Sequence, residues 1–216
     1  AFNLSGIKFI SIPSHAKKIC ERSFAYCNHL KTVSFSKDSE LTIIEKNAFI
    51  SSGIENFYVP PNVYQIGENA FSFCINLKSV EFAEDCQISS IENEMFRGSS
   101  IKEIYLPNKL KELKEGWCKE TNQLQMIHIS NNNEYFSYNN NEYLIDKNTK
   151  NEEHKLFFVK RNIKHIKIHK NIKSIEPYSI STCTKIQTIE IDAESNLEHI
   201  STYSFYLSSI ESILIP

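Results

Sequence analysis

Six cysteines, seven histidines and 26 acidic residues are the side chains of this 216-residue sequence best equipped for chemistry. Catalysis would need a nucleophile beside a base, or two carboxylates held apart in a cleft. The spacing supplies neither. There is no G-x-S-x-G, no H-E-x-x-H and no phosphate-cradling glycine loop, and only five glycines occur in all. Glu45, Glu68 and Glu92 recur at regular intervals, as the charges of a solvated turn would. The sequence therefore reads as non-enzymatic, with no catalytic residue and no cofactor. One cluster is sharper: His165, Lys167 and His169 alternate, so on one strand all three project from the same face. With His128 on the strand before, the imidazoles could gather a metal or form a pH-sensitive cationic patch. Lys167 between them, with no acid beside it, favours a solvated basic edge over a metal site.

What must position these residues is a repeat. An apolar triplet at i, i+3 and i+5 starts at residues 7, 30, 54, 77, 101 and 124, then at 163, 186 and 210, from Ile7-Ile10-Ile12 to Ile210-Ile213-Ile215. The spacing alternates 23 and 24, so the unit is a pair of coils 47 residues long. A second apolar pair follows each triplet, as in Leu41 and Ile44 or Val63 and Ile66. Five residues later comes a large side chain: Phe24, Phe49, Phe71, Phe96, Cys118, Ile180 and Phe205. Two short extended segments per coil, with inward side chains stacked in columns, satisfy this pattern. Pro13, Pro60, Pro107 and Pro216 each close the triplet strand of one coil type, where the missing donor ends it.

The columns also bear on the cysteines. Cys27 and Cys74 hold the same slot two coils apart, which at strand spacing is roughly 10 Å, beyond the roughly 7 Å reach of a disulfide. Cys118 replaces a core Phe, Cys183 lies further along, and Cys20 and Cys86 occupy unrelated slots. Buried thiols acting as small apolar residues are the expectation, and without a C-x-x-C pair a zinc site has no support.

The paired pattern I-x-x-I-x-I-P, then V-x-x-I-G-x-x-A-F-x-x-C-x-x-L, resembles the BspA-like leucine-rich repeats, also called the Treponema pallidum class. Residues 62–77, from Asn62-Val63 through Ile66-Gly67 and Ala70-Phe71 to Cys74 and Leu77, carry it most fully. It departs at Trp117-Cys118, where Ala-Phe is expected, and at Ser179-Ile180. The resemblance implies a mainly β, right-handed solenoid of about nine coils with a concave parallel sheet. It also implies a surface-displayed, adhesin-like module that binds host, matrix or cell-surface proteins.

The period breaks once. Leu124 and Ile163 are 39 residues apart, 15 more than a 24-residue coil. Asn131-Asn132-Asn133 and Asn139-Asn140-Asn141 bracket Glu134 to Tyr138, and Tyr143-Leu144-Ile145 and Leu156 to Val159 flank a polar stretch from Asp146 to Lys155. Residues 131–162 thus read as an irregular repeat with an inserted β-hairpin, expected to protrude from the stack. Residues 1–216 otherwise form one domain. Because the sequence begins inside a repeat and ends after a strand, it reads as a fragment of a longer array whose uncapped ends could self-associate.

A formal net charge of −2, with 24 basic against 26 acidic residues, gives no footprint for nucleic acid. No apolar run approaches the roughly 20 residues of a membrane span. Binding is then expected on the exposed face of the triplet strands, concave in a solenoid. Down the stack that face offers Tyr58, Glu81, Tyr105 and His128, then His165, Lys167 and His169, an amphipathic strip suited to a protein ligand. A surface or extracellular location is the leading expectation, and an intracellular interaction scaffold is the alternative.

Overall fold

The computed structural model describes residues 2–147 and 153–214. Ala1, the 148–152 portion of the polar stretch, and Ile215 and Pro216 lie outside the described residues. Each regular coil contributes a longer strand and then a shorter one. These are β1 (Phe9–Ile12) and β2 (Lys18–Ile19), β3 (Thr32–Phe35) and β4 (Ile43–Ile44), β5 (Asn56–Val59) and β6 (Gln65–Ile66), β7 (Ser79–Phe82) and β8 (Ser90–Ile91), and β9 (Glu103–Tyr105) and β10 (Glu112–Leu113). β11 (Met126–His128) opens the irregular coil, which continues through β12 (Phe136–Asn139), β13 (Tyr143–Asp146) and β14 (His154–Val159). The stack resumes with β15 (His165–Ile168) and β16 (Ile172–Ile175), β17 (Thr188–Ile191) and β18 (His199–Ile200), and β19 (Ser212–Leu214). The molecule is a solenoid of about nine turns without a helix among the described residues.

Triplet strands pair in parallel with the next coil at a register that puts triplet on triplet: Phe57 faces Val80, Val80 faces Ile104, and Ile189 faces Ile213. They form three sheets, β1-β3, β5-β7-β9-β11 and β15-β17-β19. The columns behave as their spacing predicts. Ile54, Phe57 and Val59 are buried, as are Leu77, Val80 and Phe82. Down the core the rings of Phe2, Phe24, Phe49, Phe71 and Phe96 stack in series, with centroids 5.2 to 5.8 Å apart and planes within 9°. Such pairs add about 0.5–1.5 kcal/mol each beyond their burial.

Between its two strands and the next triplet, each coil turns with two residues in the left-handed region. These include Arg22 and Tyr26, Asn47 and Ser51, Asn69 and Phe73, Glu94 and Gly98, and Tyr178 and Thr182. A side chain in that conformation costs roughly 1–2 kcal/mol. A third ladder between coils offsets it, with Phe24, Phe49, Phe71 and Phe96 donating their amides to Ala48, Ala70, Met95 and Trp117 at 2.8 to 3.1 Å. At Gly98, φ is +63° and a Cβ would lie 2.6 Å from the Phe73 ring, so only glycine admits that ring.

The expected hairpin is present as β13 and β14, which pair antiparallel, but it does not stand off the stack, and β12, a strand the sequence did not point to, is added beyond it. β12 and β13 pair antiparallel through a turn at Asn140 and Asn141, both at positive φ, a conformation Asn tolerates better than most residues. β13 pairs antiparallel with β14, and β14 runs parallel to β16, so the insertion extends the back sheet to five strands, β12-β13-β14-β16-β18. Phe136, Leu144 and Phe158 join the first core cluster; Ile145, Leu156 and Val159 join a second, which runs on to Ile191. Those apolar flanks are core because the strands of the insertion join the back sheet and lay their apolar faces against the coils on either side. Asn133 anchors it: buried, it donates through Nδ2 to the carbonyls of Asn108 and Leu110 and accepts through Oδ1 from the amides of Tyr135 and Phe136.

The other anchor is Arg161, fully buried and facing no carboxylate among the described residues. In regular coils this slot holds a serine that contacts the next coil's cysteine, Ser5 with Cys27 and Ser52 with Cys74. Arg161 takes the place of that serine against Cys183, with Nη1 3.8 Å from its Sγ, and reaches back to Cys118, with Nη2 3.3 Å from that Sγ. Nη1 also donates to the Ser179 carbonyl at 2.9 Å, and the guanidinium lies 4.6 Å over the Phe158 ring. Burial pushes the Cys118 thiol up to about 11, against the pull of Arg161. Five cysteines are buried free thiols as expected; Cys20 is exposed, contrary to the expectation, because its slot follows β2 at the turn.

Candidate binding face

Side chains alternate on a strand, so burying the triplet turns the residues between outward. Parallel register then sets those residues in rows. Tyr58 on β5 faces Glu81 on β7, Glu81 faces Tyr105 on β9, and Tyr105 faces His128 on β11. These four predicted residues are thus brought together as consecutive members of one row on one sheet. Tyr58 and Tyr105 are 47% and 40% exposed, open enough to be covered by a ligand. The Tyr105 and His128 rings stack, with centroids 4.1 Å apart and planes 7° apart. The neighbouring row is polar: Ser79 donates to the Asn56 side-chain oxygen at 2.9 Å, and Glu103 Oε2 lies 3.5 Å from His128 Nε2. That nitrogen is sealed from solvent without a hydrogen bond.

The second predicted group divides. His165 and Lys167 face outward on β15, but β15 ends at Ile168, and His169 begins the following turn, where its Nδ1 accepts from the Asn171 amide. The expected three-residue row is therefore two residues long. Nor is Lys167 without an acid. Register sets it against Glu190, 2.9 Å away, with Asp192 at 3.9 Å, and the hydrogen bond it donates to Glu190 raises its pKa. The expected basic edge is a cross-strand ion pair. β11 and β15 belong to different sheets, so His128 is no ladder neighbour of His165. Among the described residues no three His, Cys, Asp or Glu side chains are grouped to hold a metal ion.

A feature the sequence reading did not single out is a cleft of about 440 Å³ between β11 and β12, where the row ends. His128, Ser130 and Asn131 form one side; Ser137, Tyr138, Asn139, Asn141 and Lys147 form the other. The asparagine run flanking residues 134–138 was the available signal, although it marks a turn as readily as a site.

A family model for the BspA type leucine-rich repeat region matches in six copies over residues 1–125, 42–148 and 132–216. Of solved structures, the pneumococcal vaccine antigen PcpA is 27% identical with a TM-score of 0.83, over 95% of this chain and 51% of that one. A leucine-rich cell surface protein of Faecalibacterium prausnitzii is 18% identical with a TM-score of 0.74, over 97% and 61% of the two chains. A leucine-rich repeat protein of Eubacterium ventriosum is 20% identical with a TM-score of 0.77, over 93% and 51%. The chain thus spans about half to three-fifths of their lengths. No curated protein matches by sequence. No helix of the described residues is long and apolar enough to cross a membrane.

Proposed function

The chain belongs to the family of BspA-type leucine-rich repeats, and we propose that it is a non-enzymatic protein-binding module displayed on a cell surface, adhesin-like in its use. The observation that carries this reading is the row Tyr58, Glu81, Tyr105 and His128, held in register on a rigid sheet. Aromatic side chains beside a carboxylate on a preformed surface are what protein partners anchor to. His165 and Lys167 on β15, with His169 at its end, extend the proposed face. Two structural neighbours support display: PcpA is described as a vaccine antigen and the Faecalibacterium protein as a cell surface protein.

A second reading, an intracellular scaffold, draws on the cysteines, all six of which are free, a state usual in reducing compartments. The outward edges of β1 and β19 pair with no described strand, so edge-to-edge self-association belongs to the proposal; light scattering of the purified chain measures it.

The test is binding to intact host cells and immobilised matrix proteins by the chain and by a Tyr58→Ala, Tyr105→Ala, His128→Ala variant of matched melting temperature. Saturable binding that falls at least about 10-fold in the variant, as loss of interface hot spots does, supports the adhesive reading. Absence of binding by the unmodified chain overturns it in favour of the scaffold.

A further inference from the structure

We propose that the cleft between β11 and β12 is a saccharide site selective for a pyranose bearing a carboxylate. The inference deepens the binding reading above and rests on it only for location, since the cleft adjoins the His128 end of the row. The insertion builds one wall and the regular sheet the other.

Three observations point to that ligand class. The lining is amide and hydroxyl: Asn131, Asn139 and Asn141 offer paired donors and acceptors, and Ser130 and Ser137 add hydroxyls. That array matches the ring hydroxyls of a sugar. Of the cleft's apolar lining, Ile127 and Phe136 are buried in the core and Ile129 is half-buried. Second, His128 and Tyr138 supply aromatic surfaces, whose negative faces suit the C–H face of a pyranose. Tyr138 stays a neutral donor: burial pushes its phenol up to about 12, and its hydroxyl donates to the Asn141 carbonyl at 3.1 Å. Third, among the described residues the only full charge in the lining is the Lys147 ammonium. Nζ donates to the carbonyls of Asn131 and Asn133 at 3.2 and 2.6 Å, and among the described residues no carboxylate lines the cleft. A lone cation set among neutral donors selects an anionic ligand. The volume, about 440 Å³, lies in the usual range of small-ligand sites, roughly 300–1,000 Å³.

The experiment is calorimetric titration of the full chain with 3′-sialyllactose, a hyaluronan tetrasaccharide, neutral lactose and N-acetylglutamate. Binding of either acidic saccharide at least about 10-fold tighter than lactose, a difference of about 1.4 kcal/mol, is the expected result. Which acidic probe binds distinguishes a sialic acid from a uronic acid. Lys147→Met should abolish the preference over lactose. Because Lys147 also braces two carbonyls, Asn139→Ala, which leaves that brace intact, should weaken the acidic sugar by a similar factor. Equal affinity for lactose, binding of N-acetylglutamate as tight as that of the sugars, or no saccharide binding overturns the proposal. Cell binding that depends on Tyr58 and Tyr105 would survive that outcome, so the two readings fail separately.

Discussion

Replacing Arg161 tests whether its charge or its volume holds the irregular coil in place. The guanidinium is buried, its Nε lacks a partner, and its one short hydrogen bond is the 2.9 Å contact to the Ser179 carbonyl; those to Val159, Tyr178 and Cys118 carbonyls run from 3.3 to 3.5 Å. Three of those carbonyls keep other donors: the Val159 amide on Ser179, Ser181 on Tyr178, and Thr121 on Cys118. Removing the arginine therefore orphans little. A buried charge loses several kcal/mol of hydration, and a well-packed apolar replacement is often neutral or better. Arg161→Met, which keeps a long stem over Phe158, should change stability by about 1 kcal/mol or less. Arg161→Ala, which empties the space between Cys118 and Cys183, should cost about 3–5 kcal/mol, the cost of truncating a large core side chain. The assay is urea unfolding followed by far-UV circular dichroism and by fluorescence of Trp117. As the sole tryptophan, 3% exposed and 6.2 Å from Phe158, it reports on this junction. A methionine variant as unstable as the alanine variant would refute the reasoning and make the charge itself the fastener.

Phe71→Ala removes a fully buried ring stacked between Phe49 and Phe96; a loss of about 3–5 kcal/mol is expected in the same assay, and a loss below about 1 would mean that the column does not carry the core. Deleting residues 136–146 shortens the irregular coil towards the regular period but strips Phe136, Leu144 and Ile145 from both cores, so the chain should lose its cooperative transition; a sharp transition at the parent midpoint would show the insertion to be dispensable. Under native conditions at neutral pH a thiol reagent should modify Cys20 quickly and the five buried cysteines only on unfolding; fast labelling of two or more would contradict the burial.

The regular coils were legible because one side-chain period sets both the strand and the stack: a triplet repeating at 23 and 24 residues has one way to bury itself, and from Ile54 to Leu106 it does so. The row Tyr58 to His128 follows from the same alternation. His169 lies beyond the row because the alternation was carried one position past the four-residue strand, whereas pairing stops with Ile168 opposite Ile191. The acids opposite Lys167 were visible as Glu190 and Asp192, but they matter only through register between coils. Arg161 and Asn133 could not be found by periodicity, since each is a polar residue buried where the period is broken. The cleft is likewise a product of two segments that meet only in three dimensions.

The junction at Arg161 also has a mechanical meaning. Among the described residues no strand ladder crosses from β10 and β11 to the coils beyond; the Arg161 side chain, its amide on the Leu124 carbonyl at 3.2 Å, the Asn133 amide and apolar packing make the connection. Ladders within each half resist a pull along the stack with rows of hydrogen bonds loaded one after another, whereas the junction must bear the same pull through one backbone hydrogen bond and side chains. A load on the two ends should therefore part the solenoid into two intact blocks before either unwinds, making the irregular coil a built-in point of extension.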